Sequence, residues 1–103
     1  MTIEEQWTVL VEDMTEQPDV TAGKMFGSRG LRIGKKFFAV LWDDRLVLKL
    51  PKGRVEAVIA SGGEPFMPMP GRTMGEWVVV GTKADWFALA SESKLYLEAL
   101  AAS

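Results

Sequence analysis

The chain has 103 residues, of which 48% are apolar and 25% charged, ordinary values for one globular domain. It contains no cysteine and no histidine, which excludes a disulfide framework, a thiolate metal site, a cysteine nucleophile and the commonest general base. The acidic N-terminus lacks the pattern of a signal peptide, and no apolar run is long enough to cross a bilayer. We therefore expect a single cytoplasmic domain over residues 1–103, with no membrane contact, cofactor or metal.

The formal net charge of −2 hides an uneven distribution along the chain. Residues 1–20 carry six acids and no base, residues 21–54 carry nine bases and two acids, and residues 55–103 carry three bases and six acids. A basic middle between acidic ends predicts either an electropositive surface for an acidic partner or charged faces that neutralise one another.

The first predicted element is a helix over about residues 2 to 15. Thr2 and Glu5 have the spacing of a capping box. Apolar residues then recur on one helical face: Ile3, Trp7, Leu10, Val11 and Met14. Pro18 ends the helix, and we expect a loop from there to Gly23.

Residues 24 to 50 have the pattern of a three-stranded meander, in the segments LRI, KFFAVLW and RLVLKL. Tight turns are predicted at Gly34 with Lys35 and at Asp43 with Asp44. Alternation directs Leu46, Leu48 and Leu50 to the core. In the middle strand it puts Phe38, Val40 and Trp42 on one face and Phe37, Ala39 and Leu41 on the other. That strand is then apolar on both faces.

The remainder predicts a short helix, an edge strand, a final strand and a long helix. Val55, Val58 and Ile59 form the short helical face, which Gly62 and Gly63 end. Pro68 and Pro70 have the same parity, which suits an edge strand before a turn near Gly71. A strand over residues 76 to 80 and a helix opened by Thr82 and Asp85 complete the chain. The last helix has an apolar side formed by Trp86, Leu89, Ala90, Leu97 and Leu100.

The predicted order is α-β-β-β-α-β-β-α. Each helix has one apolar stripe, so we expect a two-layer α+β fold whose helices cover one face of a mostly antiparallel sheet.

The segment KMFGSRGLRIGKK, residues 24 to 36, places three glycines among five basic side chains. It does not form a P-loop, because Gly30 and Gly34 are too close and a strand follows instead of a helix. The pair Gly27 and Gly30 matches the Gly-x-x-Gly clamp of KH domains, in which Arg29 would meet a phosphate. The flanking strands favour a bend or bulge at these glycines.

Three methionines, Met67, Met69 and Met74, cluster in the sequence around Phe66 and the prolines. Methionines are typical core gap fillers, but a flexible methionine-lined groove is also an adaptable binding site. The four tryptophans, Trp7, Trp42, Trp77 and Trp86, are expected in the core.

These segments resemble the TfoX N-terminal domain family, small bacterial domains found alone or ahead of a helical domain in regulators of natural competence. Lys24, Met25, Phe26, Gly27 and Gly30 resemble the family's opening motif. Phe38 with Ala39 and Leu48 with Lys49 resemble its hairpin, and Gly63, Pro65 and Phe66 its mid-chain turn. The likeness spans about residues 20 to 100. It implies a secretion-chaperone-like fold, in which these residues are structural, and no catalytic residues. Trp86 is also expected to be structural, because it lies on the apolar side of the last helix.

Three functions stay open at the level of sequence. The leading hypothesis is a non-enzymatic regulatory or protein-interaction domain. The first alternative is nucleic-acid binding through the basic segment 24–54, with the candidate residues Arg29, Arg32, Lys35, Lys36, Arg45 and Lys49. The second alternative is a small-molecule or enzymatic pocket near residues 67 to 72, where Met67 and Met69 are candidate contacts.

The outer face of the sheet, opposite the helices, needs a cover if the middle strand is apolar on both sides. We expect a homodimer with two-fold symmetry through this face or through an edge strand. The alternative is that the loop over residues 16 to 23 or the proline-rich segment folds over the same face.

Overall fold

The computed structural model describes residues 1–25 and 27–102 and contains three helices and six strands in that part of the chain. The helices are α1 (Ile3–Thr15), α2 (Lys52–Ala60) and α3 (Trp86–Ala102). The strands are β1 (Val20–Met25), β2 (Ser28–Ile33), β3 (Lys36–Trp42), β4 (Arg45–Lys49), β5 (Glu64–Met69) and β6 (Arg72–Val80). Phe26, assigned a structural role by the family resemblance, lies outside the described residues.

The six strands form one antiparallel sheet with the order β1-β2-β3-β4-β6-β5. The predicted α+β class is therefore confirmed, and so is the edge position of the proline-containing strand β5. The predicted order lacked one strand, because residues 20 to 23 were assigned to a loop. These residues pair with β2 from Val20 opposite Ile33 to Met25 opposite Ser28. Strand β1 has only six residues, and two of its exposed side chains are small, so its sequence shows little of the alternation typical of a strand. Pairing with β2 determines the structure of this segment.

The capping box predicted at the start of α1 is confirmed. Thr2 Oγ1 accepts a hydrogen bond from the Glu5 amide at 3.1 Å, and Glu5 Oε1 accepts one from the Thr2 amide at 2.9 Å. At the other end of the chain Asp85, not Thr82, caps α3, since its Oδ1 accepts from the Ala88 amide at 3.0 Å.

Strand β3 contains a bulge at Phe38. Leu31 of β2 pairs with Ala39, whereas the next residue, Arg32, pairs with Phe37. Phe38 is thus an extra residue without a partner of its own on β2, the arrangement of a β-bulge.

The bulge reverses the alternation of side chains along β3. Phe38 and Ala39 both belong to the core under the helices, whereas Phe37 and Val40 belong to the cluster on the outer face. The sequence prediction that Phe38, Val40 and Trp42 share one face is therefore wrong. Strict alternation holds only for a regular ladder, and one extra residue shifts its phase.

Ser93 of α3 reaches the backbone beside this bulge. Its Oγ lies 2.8 Å from the carbonyl oxygen of Phe38 and 2.6 Å from that of Lys49, and the side chain is completely buried. The hydroxyl thus supplies a donor where the bulge interrupts the ladder.

All three helices pack on the inner face of the sheet. Their buried side chains meet the inward residues of the strands in one core, which includes the predicted Leu46, Leu48 and Leu50. Trp86 is 4% exposed, and its indole N–H donates to the Gly81 carbonyl at 2.9 Å. In the described ranges, no helix is both long and apolar enough to cross a membrane.

Candidate functional site

The outer face of the sheet carries an apolar groove of about 690 Å³. Val40 of β3 and Val47 of β4 lie on the sheet side of this groove and are almost completely buried. Met25 lines it from β1, and Trp77 from β6. We call this space the outer groove.

The hairpin of β5 and β6 supplies the rest of the lining with Phe66, Pro68, Met69, Arg72 and Met74. Two register shifts interrupt the pairing of β5 with β6, on either side of Phe66. The hairpin's tip therefore departs from a flat extension of the sheet. The proline-rich segment therefore lies over part of the outer face, as one alternative from the sequence predicted, and leaves the groove accessible to water.

Contacts between aromatic rings show how far the hairpin curls. The Phe66 ring lies 5.4 Å from Trp42 in an edge-to-face arrangement and 6.4 Å from Trp77. Strands β5 and β3 are three positions apart in the sheet, so a flat sheet would separate them by about 14 Å. The contact between Phe66 and Trp42 requires a strongly curved outer face.

Several side chains in the groove are accessible to water. Trp42 is 39% exposed, Met74 39% and Met69 54%. The expectation that all four tryptophans are core residues is therefore wrong for Trp42, which lies on the outer face near the end of its strand. Met67 is 50% exposed but lines a smaller notch next to the groove, together with Arg45 and Glu64.

Charges near the groove are unequally distributed. Arg72 is the charged residue of its lining, and no aspartate or glutamate of the described ranges lines it. Lys49 lies nearby, with its Nζ 5.8 Å from the centre of the Trp77 ring and 3.7 Å from Glu76 Oε1. Arg45 is paired with Glu64.

The six basic candidates for nucleic-acid binding do not form one free surface. Arg29 pairs with Glu4 of α1, with Nη1 2.9 Å from Oε2, and so belongs to the helical side of the edge. Arg32 lies over the Phe37 ring on the outer face, 5.9 Å from its centre. Lys35 and Lys36 are exposed at the hairpin between β2 and β3. Nucleic-acid binding stays a prediction.

The glycines of the opening motif have different roles. Gly27 lies in the turn between β1 and β2 with a φ of +83°, a conformation that side chains rarely adopt. A Cβ on Gly30 would lie 2.7 Å from the Phe37 ring, so this position needs the close approach that glycine permits. Both observations are consistent with the bend or bulge that the sequence predicted at these glycines.

The residues of the mid-chain motif connect α2 to the outer groove. The Gly63 amide donates to the Val58 carbonyl at 3.0 Å, which closes the end of the helix. Pro65 is exposed on β5, and Phe66, which follows it, is 8% exposed in the outer cluster.

Ionisable groups with shifted pKa values lie in ion pairs and on helices, away from the groove lining. Burial lowers the pKa of Lys94, but Glu98 and Asp19 outweigh burial, so the net shift is upward. A hydrogen bond from Arg29 lowers the pKa of Glu4. In the part of the chain that the structure describes, no three acidic side chains form a group that could hold a metal ion.

The comparison with family models gives a match over residues 12–85, to the TfoX N-terminal domain. The chain belongs to this family. The matched range contains all six strands and α2, and therefore every residue that lines the outer groove. In this chain the groove therefore lies within the part that matches the family. No curated protein matches the chain.

Sequence reasoning about this TfoX N-terminal domain identified Met69, Met74 and the region of residues 67 to 72 but missed the part of the groove that the other strands form. Val40 was assigned to a face together with Phe38, and Met25, Val47 and Trp77 were not predicted as groove residues. Two features of the sequence indicated a groove on this face: the group of methionines and prolines, and a middle strand that is apolar on both faces.

Proposed function

We propose that this chain is a non-enzymatic regulatory domain, similar to the domains of competence regulators, which acts by binding another molecule in the outer groove. The observation that carries the proposal is the exposed apolar lining, with Trp42 at 39%, Met74 at 39% and Met69 at 54% exposure on one concave surface. Apolar area in water costs about 25 cal/mol per Å², and a contiguous patch of this kind is typical of binding sites.

The chemistry of the lining favours binding over catalysis. Its side chains provide neither a nucleophile nor a general base, because apart from the Arg72 guanidinium they are aromatic, aliphatic or thioether groups. An arginine stays protonated and so serves for recognition. The TfoX N-terminal domain family supports a regulatory role of this kind.

A genetic complementation experiment tests this function. A strain that lacks the gene receives the wild type, Met74→Lys in the groove, or Met67→Lys outside the groove. Both methionines are exposed, at 39% and 50%, so both variants are expected to fold. We expect the wild type and Met67→Lys to restore the transcript profile of the parent strain, and Met74→Lys to fail.

The opposite result has a clear meaning. If Met74→Lys restores the profile as fully as the wild type, the groove does not carry the function. If deletion of the gene leaves the profile unchanged, the regulatory role itself is wrong. Circular dichroism of the purified variants checks that each one is folded.

Self-association is a second proposal, motivated by the free edge of β1. The other edge strand, β5, contains Pro65 and Pro68, which lack the N–H needed for pairing. Strand β1 (Val20–Met25) contains no proline, and two copies can pair antiparallel about a two-fold axis. Light scattering should give twice the monomer mass of 11.4 kDa. A monomer mass at high micromolar concentration would contradict the dimer.

A further inference from the structure

Three of the side chains that line the outer groove carry hydrogen-bond donors and no acceptors. The side chains that contribute them are Arg72, through its guanidinium, and Trp42 and Trp77, through their indole N–H groups. Among the described residues, neither of these indoles has a hydrogen-bond partner, in contrast to the indole of Trp86. A ligand that satisfies this surface must present acceptors and an apolar body.

Arg72 is also available to an anion. Within residues 1–25 and 27–102, no carboxylate lies within ion-pair distance of Arg72, whereas Arg29, Arg45 and Arg54 each have a glutamate partner. A carboxylate is the planar group that accepts two parallel hydrogen bonds from a guanidinium.

The size of the groove is that of a small-molecule site. Its volume of about 690 Å³ falls within the range of small-ligand sites.

From these three observations we propose that the outer groove binds an amphiphilic carboxylate, with its alkyl chain or aromatic ring against Val40, Val47 and Phe66 and its carboxylate on Arg72. This assignment rests on the proposed function, since it names the ligand class for the same groove. It implies that the regulatory domain responds to a small organic acid.

Titration with dodecanoate below its micellar concentration tests the proposal, with calorimetry and tryptophan fluorescence as readouts. Trp42 and Trp77 line the groove, so their emission should change on binding. We expect saturable binding with one site per chain. Dodecylammonium, with the same alkyl chain and the opposite charge, should bind at least about ten-fold more weakly.

Variants of Arg72 distinguish recognition of the carboxylate from nonspecific binding of the alkyl chain. Arg72→Gln should weaken dodecanoate binding about ten-fold or more at low salt. Lys35→Gln makes the same change of charge at an exposed turn outside the groove and should leave the affinity unchanged. Arg72→Glu should reverse the preference in favour of dodecylammonium.

Equal binding of dodecanoate to wild type and Arg72→Gln would overturn the proposal, since the groove would then recognise only apolar surface. Absence of binding, with Met74→Lys still inactive in the complementation experiment, would reject the ligand class and leave the proposed function intact. A third result is that wild type shows a doubled mass, that Met74→Lys restores the monomer mass, and that dodecanoate does not bind. This result would place a second copy of the chain in the groove and would also overturn the proposal.

Discussion

Replacement of Ser93 by alanine is the sharpest test of the fold that positions the groove. The Ser93 hydroxyl is completely buried, and its single proton is shared between the carbonyls of Phe38 and Lys49, at 2.8 and 2.6 Å. Ser93→Ala removes this donor and leaves both carbonyls without it beside the bulge. Water cannot replace the hydroxyl without a rearrangement, because the side chain has no exposed surface.

The expected loss of stability follows from the two carbonyl oxygens, which stay buried but lose their hydrogen-bond donor. A buried polar group that loses its partner costs about 1 to 3 kcal/mol, and alanine regains up to about 0.5 kcal/mol through its higher helix propensity. The net loss should be about 0.5 to 2.5 kcal/mol in the free energy of unfolding. For a domain of this size, each kcal/mol lowers the melting temperature by about 4 to 8 °C.

Urea unfolding followed by circular dichroism measures this loss, with Ser91→Ala as the matched control. Ser91 lies on the same helix, and its hydroxyl makes only a weak contact, 3.9 Å from the Met14 sulfur. We expect the control to stay within about 0.5 kcal/mol of wild type. If the two variants differ by less than about 0.5 kcal/mol, the bulge carbonyls do not depend on Ser93 and our account of this contact is wrong.

Three further predictions concern the core, the bulge region and an ion pair. Trp86→Ala should cost about 3 to 5 kcal/mol in unfolding free energy, because the indole is 4% exposed; a loss below about 1 kcal/mol in urea unfolding would contradict this. Gly30→Ala should cost about 1 to 3 kcal/mol through its clash with Phe37, whereas Gly53→Ala, in open space on α2, should be stabilising; similar melting temperatures for both would contradict the steric argument. Because the pKa of Lys94 is raised in the folded state, the charged Lys94 stabilises the fold fully below the ordinary pKa of 10.5, and this contribution is lost as the pH rises through the folded pKa. The free energy of unfolding should therefore fall more steeply at alkaline pH for wild type than for Lys94→Gln. Parallel curves for the two proteins would contradict this prediction.

The sequence predicted those elements whose signals are local. The capping box of Thr2 and Glu5, the turn at Asp43 and Asp44 and the edge position of the proline strand depend on a few adjacent residues, and the structure confirms them. Asp43 and Asp44 both have positive φ, at 49° and 59°, as the tight hairpin turn requires.

The shape of the outer groove and its lining from β1, β3 and β4 could not be predicted, because they depend on pairing between distant strands. The bulge at Phe38 is set by the registers of β2 against β3, and no residue type marks it in the sequence. The curl of the hairpin follows from the register shifts around Phe66. Ser93 did leave a signal, since it continues the buried spacing of Trp86, Ala90 and Leu97 along α3. A hydroxyl within an apolar stripe indicates a buried backbone partner.

The distribution of charge shows why segment totals are a poor guide to this site. The basic segment, residues 21–54, suggested an electropositive surface, yet three of its arginines are paired with glutamates from the acidic segments. The arginine that lines the groove, Arg72, comes from the last segment, which has three bases and six acids. A cation's availability to an anion depends on whether a carboxylate lies within reach in the folded chain, and that is decided by strand order. Strand β6 pairs with both β4 and β5, and Arg72, its first residue, lines the apolar groove, where no carboxylate of the described residues lies within ion-pair distance of it.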